Sequence, residues 1–146
     1  MTKIPHRAVV FVGDGRRALF LRNEGDEKSP NLKMEAVFED QNPPSHDQGS
    51  DQPGRISKAS GHKSAVEMTD WHELEERRFV KQVAAAAERI VRAEQSTALI
   101  IVAPPRTLAA LRSDFHPDVK RRILWELAKD LTRHPVADIE KHLLDA

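Results

Sequence analysis

In Ala8-Val9-Val10-Phe11-Val12-Gly13-Asp14-Gly15-Arg16-Arg17-Ala18-Leu19-Phe20-Leu21, two apolar runs flank a short polar break. Two readings compete for it. Gly13-Asp14-Gly15-Arg16-Arg17-Ala18 fits the loose dinucleotide fingerprint, in which the last position sits on a helix whose amides hold a pyrophosphate. That reading needs a helix after the break, whereas Ala18-Leu19-Phe20-Leu21 has the apolar, aromatic character of a strand. The spacing therefore predicts a β-hairpin. Asp14-Gly15 suits the centre of a type I′ turn, where both residues need φ > 0.

Beyond the hairpin, Leu32, Met34, Ala36 and Phe38 alternate with Lys33, Glu35 and Val37, as in a strand with one apolar face. A polar stretch over residues 40–69 follows, rich in Pro, Gly and Ser, with Ile56 almost its only large apolar side chain. So long a connection inside a small domain is either a mobile loop or the working part of the molecule. Asp70 and Glu73 are placed as a capping pair for a helix from about Trp71 to Glu94. Phe79, Val83, Ala86, Ala87 and Ile90 form its inner stripe, with Val80, Ala84 and Val91 beside it.

Ala98-Leu99-Ile100-Ile101-Val102-Ala103 is continuously apolar, as expected of a parallel strand covered on both faces. Pro104-Pro105 stops it, and proline also suits the start of the helix marked by Leu108, Leu111 and Phe115. Between Arg121 and Leu131, Ile123, Trp125 and Leu127 alternate like a strand, while Ile123, Leu127 and Leu131 fit a helix; periodicity alone leaves both open. A last short helix follows Pro135, with Val136, Ile139 and Leu143 inward. The sum is a single α/β domain, a mixed five-stranded sheet with helices packed on it.

The 146 residues suit one domain, and 23 basic against 23 acidic side chains leave no global field to draw the chain onto a polyanion or a membrane. No run approaches the roughly 20 apolar residues of a membrane helix. The apolar run after Arg7 is too short for a signal-peptide core, and zero cysteines fit a reducing compartment, so a cytoplasmic location is expected.

Catalytic, cofactor and metal motifs were sought and none holds. Gly61-His62-Lys63-Ser64 lacks the glycine spacing and preceding strand of a phosphate loop. His72-Glu73-Leu74-Glu75-Glu76 has Glu76 where a zinc protease has its second histidine. A site recruiting His46 or His62 has no further support in the spacing, and no serine carries a nucleophile elbow. What remains is positive charge: Arg16 and Arg17 at the hairpin, Arg55, Lys58 and Lys63 in the polar stretch, and Arg77-Arg78 on the first helix. These are either ordinary solvated surface or a phosphate-binding face. With no tyrosine and two tryptophans, base stacking is poorly supplied.

Several short motifs, taken in order, resemble one family: Asp14-Gly15 with Arg17-Ala18; Ser50-Asp51-Gln52-Pro53-Gly54-Arg55; the Phe79 helix; Ala103-Pro104-Pro105-Arg106-Thr107-Leu108 with Leu111-Arg112; and Lys129-Asp130-Leu131-Thr132. The chain is similar over nearly its whole length to the bacterial host attachment proteins, with Gln52 where the family commonly has arginine. The resemblance marks Asp14, Gly15, Gly54, Pro104, Pro105, Arg112 and Asp130 as motif positions. That family is in turn similar to the middle domain of archaeal and eukaryotic peptide-chain release factors, which implies a ribonuclease H-like fold with a strand, a long loop and a long helix in succession. It also favours a strand over Arg121 to Lys129. The release-factor loop carries Gly-Gly-Gln, absent here, so release chemistry does not transfer. Two functions are implied: a non-enzymatic binding protein whose effect on attachment is indirect, or a translation-associated protein presenting a basic loop to ribosomal or transfer RNA. An enzyme with an unrecognised site is the third.

Overall fold

The computed structural model describes residues 3–39, 65–93 and 98–146, and of residues 65–72 the backbone alone. The hairpin forms. Val9–Gly13 (β1) and Arg17–Asn23 (β2) pair antiparallel from Val9↔Arg22 to Gly13↔Ala18. Its turn is not type I′, because among the described residues no glycine, and no other residue but Arg7, has φ > 0. Asp14 instead closes the turn with its side chain: Oδ1 accepts the amides of Arg16 and Arg17, each at 2.7 Å, while the Asp14 amide donates to Arg17 O at 2.9 Å. An aspartate at the first turn position does by carboxylate what left-handed backbone does in a type I′ turn.

Leu32–Glu39 (β3), the helix Ala65–Ala93 (α1) and Leu99–Val102 (β4) follow. Next come Pro105–Asp114 (α2), Pro117–Lys120 (α3), Ile123–Leu127 (β5) and Val136–Leu144 (α4). The five strands form one sheet in the order β3-β2-β1-β4-β5. β4 is parallel to both β1 and β5, and β2 is antiparallel to both of its neighbours. The strand reading of Ile123 to Leu127 is therefore the right one.

Two apolar layers cover the sheet. Val9, Phe11, Phe20, Leu99 and Ile101 pack with Phe79, Val83, Ala87, Leu108, Leu111 and Val119 from α1, α2 and α3. Val10, Val12, Leu19, Leu21, Ile100 and Val102 pack on the opposite face with Ile4 and with Ile139 and Leu143 of α4. α1 begins at Ala65, earlier than Trp71, so Asp70 lies within the helix and is not its cap. Ala65-Val66-Glu67-Met68 contains no proline or glycine to stop the helix, and Ala, Glu and Met propagate it. The rest of the polar stretch lies outside the described residues.

β3 departs from the expected single apolar face. Phe20 pairs with Ala36 but Leu21 with Met34, so Glu35 is an extra residue, a β-bulge. The bulge sends Ala36 and Phe38 to the α1 side and Leu32 to the α4 side, and leaves Met34 and Val37 47% and 45% exposed. β5 does the same at Leu124, which has no partner between Leu99↔Ile123 and Ile100↔Trp125 and is exposed. Ile123 thus joins the α1 layer while Trp125 and Leu127 join the other.

Two polar residues are buried by design of the register. Asn23 is fully buried and satisfied by backbone alone: Nδ2 donates to Ile4 O at 2.8 Å, and Oδ1 accepts Gly25 N and Asn31 N, each at 2.9 Å. The Arg22 guanidinium, with only 6% side-chain exposure, meets Glu35 through Nε–Oε1 at 2.9 Å and Nη2–Oε2 at 3.1 Å. Removing one partner of a buried pair strands the other. Glu35→Ala is expected to cost about 2 kcal/mol in urea unfolding, somewhat less than a fully buried pair would because Glu35 is part exposed. Glu27→Ala, breaking the exposed 3.9 Å contact with Lys3, should change stability by no more than about 0.5 kcal/mol.

Candidate functional site

Open α/β sheets place ligands beyond the carboxyl ends of their parallel strands, because the loops there are free to carry polar groups while the strands are buried. Here that edge gathers the turn after β1, the Pro104-Pro105 start of α2 after β4, and the segment after β5. Asp14 Oδ2 lies 3.3 Å from Thr132 Oγ1, 118 residues away in sequence. The Thr132 hydroxyl is 2.6 Å from Asp130 Oδ1, which also accepts the Thr132 amide at 3.1 Å. Its single proton serves the shorter contact, and Thr132 is buried. Asp14, Gly15 and Asp130, separate motif positions in the sequence, thus meet at one rim through a threonine not singled out among the candidates.

Beside this rim a crevice of about 220 Å³ is lined by Gly15, Glu73, Glu76, Arg77, Arg106 and Thr107, among others. A Cβ on Gly15 would stand 3.0 Å from Glu76 Cδ, so an alanine there would require the Glu76 side chain of α1 to shift. Arg106 Nη2 is 3.6 Å from Glu73 Oε1, linking α2 to α1. Two carboxylates and two guanidiniums line the crevice, so its formal charge cancels.

The predicted basic residues are distributed unevenly. Arg16 is exposed at the hairpin tip with no side-chain partner among the described residues. Arg17 pairs across the strands with Glu39, its Nε 3.9 Å from Glu39 Oε1. Arg78 pairs with Glu75 at 3.0 Å, and Glu75 is buried. Arg112, on α2, holds the Glu126 carboxylate of β5 with both Nε and Nη2, and this hydrogen bonding, then the opposite charge, raises its pKa. Gly54, Arg55, Lys58 and Lys63, with His46 and His62, lie outside the described residues. Among the described residues no group of three or more His, Asp or Glu side chains is placed to hold a metal ion. No helix among them is long and apolar enough to cross a membrane.

A second charged cluster lies at the other end of the sheet and was not singled out in the sequence. Arg92 of α1, Asp118 of α3 and the Arg121-Arg122 link into β5 line a cleft of about 350 Å³. The signal available was the run Lys120-Arg121-Arg122 immediately before an apolar alternation.

Fold and rim together define a single-domain α/β protein with a mixed sheet, whose short polar motifs converge at the carboxyl ends of β1, β4 and β5. A family model described as "Protein required for attachment to host cells" matches residues 9–143, and the chain belongs to that family. No match was found among curated proteins. Among solved structures, the chain is similar to the ethanolamine utilization protein EutJ from Carboxydothermus hydrogenoformans, at 11% identity and a TM-score of 0.42. That match covers 87% of this chain and 46% of EutJ, so the chain spans about half the length of that protein.

The close approach at Gly15 gives a direct test. Gly15→Ala is expected to push Glu76 aside and to cost about 1 kcal/mol, most of it absent when Glu76 is already Ala; the double-mutant cycle, read by chemical unfolding, should return a coupling above about 0.5 kcal/mol. Asp14→Ala removes the acceptor of two turn amides and should cost about 1–2 kcal/mol.

Proposed function

We propose that this member of the host attachment family is a non-enzymatic binding protein that works through its carboxyl-end rim, in the cytoplasm, so that its effect on attachment is indirect. The observation that carries the reading is how the motif residues are engaged. Asp14 closes a turn and reaches Thr132, Asp130 holds Thr132, and Arg112 braces α2 against β5. Each fixes the rim's shape, which is what a binding surface needs. Arg16 projects from that braced rim with no side-chain partner among the described residues. The order β3-β2-β1-β4-β5, with only β2 running against the others, supports placing the fold with the ribonuclease H-like sheets. Two packed apolar layers that need no disulfide suit a reducing compartment.

A second reading is favoured by the same free Arg16 and by the succession of β3, a long polar segment and α1, the order of a release-factor middle domain. In it the rim and the basic residues Arg16, Arg55, Lys58 and Lys63 bind ribosomal or transfer RNA without releasing peptide.

In a deletion strain, the wild-type chain and a Lys28→Glu control, altered on the exposed β2–β3 loop, should restore attachment to host cells, whereas Arg16→Glu should not, with its thermal midpoint unchanged. Full restoration by Arg16→Glu removes the rim reading, and labelling of the chain by a membrane-impermeant reagent on intact cells removes the indirect role. Ribosome co-sedimentation decides the second reading. Replacing Arg55, Lys58 and Lys63 with Ala should flatten the salt dependence of binding by roughly two to three units. If the wild-type chain does not sediment with ribosomes, the translation reading fails.

A further inference from the structure

The cleft between the end of α1 and the start of β5 is built differently from the rim. Arg121 and Arg122 stand on fixed backbone: Arg121 N donates to Pro117 O at 3.0 Å, Arg122 N to Val119 O at 3.0 Å, and Arg122 O accepts Leu99 N at 2.8 Å. Arg92 comes from the last turn of α1. Its Nε donates to Glu88 at 3.0 Å and its Nη2 lies 3.0 Å from Asp118 Oδ2. Arg121 holds the other Asp118 oxygen. His116 Nδ1 accepts the Asp118 amide at 3.0 Å and lies 3.5 Å from Asp118 Oδ2. Among the described residues, three guanidiniums therefore meet two carboxylates, Glu88 and Asp118. Arg122, half-buried, has no side-chain partner among the described residues.

Two features of this cluster point to a ligand. Arg122 has no side-chain partner among the described residues, so its guanidinium fork is open to an anion. Two further arginines, Arg92 and Arg121, already converge on one oxyanion, the Asp118 carboxylate. Guanidinium forks match carboxylate and phosphate oxygens alike, but a phosphate dianion carries an extra charge and more acceptors. We propose that Arg92, Arg121 and Arg122 form a binding site for a phosphate dianion, with Asp118 as its internal competitor. The cleft, about 350 Å³, has room for a phosphate group and for part of what carries it. The site lies at the opposite end of the sheet from Asp14 and Gly15, and is independent of the rim.

The test is titration of the intact chain with inorganic phosphate, followed by calorimetry and by the guanidinium Nε–H signals, with chloride at matched ionic strength as blank. Saturable binding that moves the Arg92, Arg121 and Arg122 signals is expected. Arg122→Gln should weaken it at least tenfold, and Lys28→Gln, on the exposed β2–β3 loop, should leave it unchanged. Asp118→Asn should tighten it several-fold, because the competitor loses its charge. A merely structural Asp118 predicts the opposite, so weaker binding in Asp118→Asn overturns the proposal, as does an equal response to chloride. Adenosine monophosphate and adenosine tell the source of the phosphate. Tighter binding of the monophosphate than of free phosphate, with none of adenosine, points to a nucleotide; equal binding of the two phosphates points to the free ion. Binding of adenosine as tight as that of the monophosphate overturns the phosphate assignment.

Discussion

The structure depends on β1 and β4 being apolar on both faces. Val9 and Phe11 point to one layer and Val10 and Val12 to the other, and Leu99 and Ile101 oppose Ile100 and Val102 in the same way. Strands of this kind cannot lie at a sheet edge or face water, since both their surfaces and their backbone groups must be covered. β2 and β5 therefore flank them, and helices cover both sides of the sheet. With the middle of the sheet closed to polar groups, chemistry is confined to the two ends of the strands.

The edge strands are where register had to be adjusted, and this divides what the sequence discloses from what it withholds. The hairpin, the stripe on α1, the helix after Pro104-Pro105 and the buried strand β4 each follow from local pattern, because one residue's neighbours in sequence are also its neighbours in the element. The bulges do not. Glu35 sits in a clean alternation of Leu32, Met34, Ala36 and Phe38, and only the pairing with Phe20 and Leu21 shows that the alternation is broken. Its physical cause is at long range: the buried Arg22 guanidinium requires a carboxylate, and the extra residue provides one. The turn at Asp14 was misread for a related reason. Its residues suit two turn types, and side-chain capping rather than glycine's freedom selects between them.

The rim was legible as motifs and illegible as a site. Asp14 and Asp130 each stand out in sequence, but the hydroxyl that joins them belongs to Thr132 and depends on β1 and β5 being separated only by β4. Arg17 looked like free positive charge and faces Glu39 on the neighbouring strand, and Arg112, read only as a motif position, faces Glu126 of β5. A count of basic residues along a chain cannot subtract acids that the fold brings opposite them.

The same subtraction, carried to both ends of the sheet, separates two surfaces that a net charge of zero conceals. At the carboxyl end, Glu73 and Glu76 balance Arg77 and Arg106 in the crevice, and Arg16 is exposed beside it. At the amino end, three arginines share two carboxylates among the described residues, on a fixed backbone. An unpaired charge on an exposed side chain such as Arg16 costs little and says little, because water solvates it. Arg122 instead stands in a cleft with Arg92 and Arg121, which share Asp118 as a partner, so its position carries more information about a ligand than the more conspicuous cation at the hairpin tip.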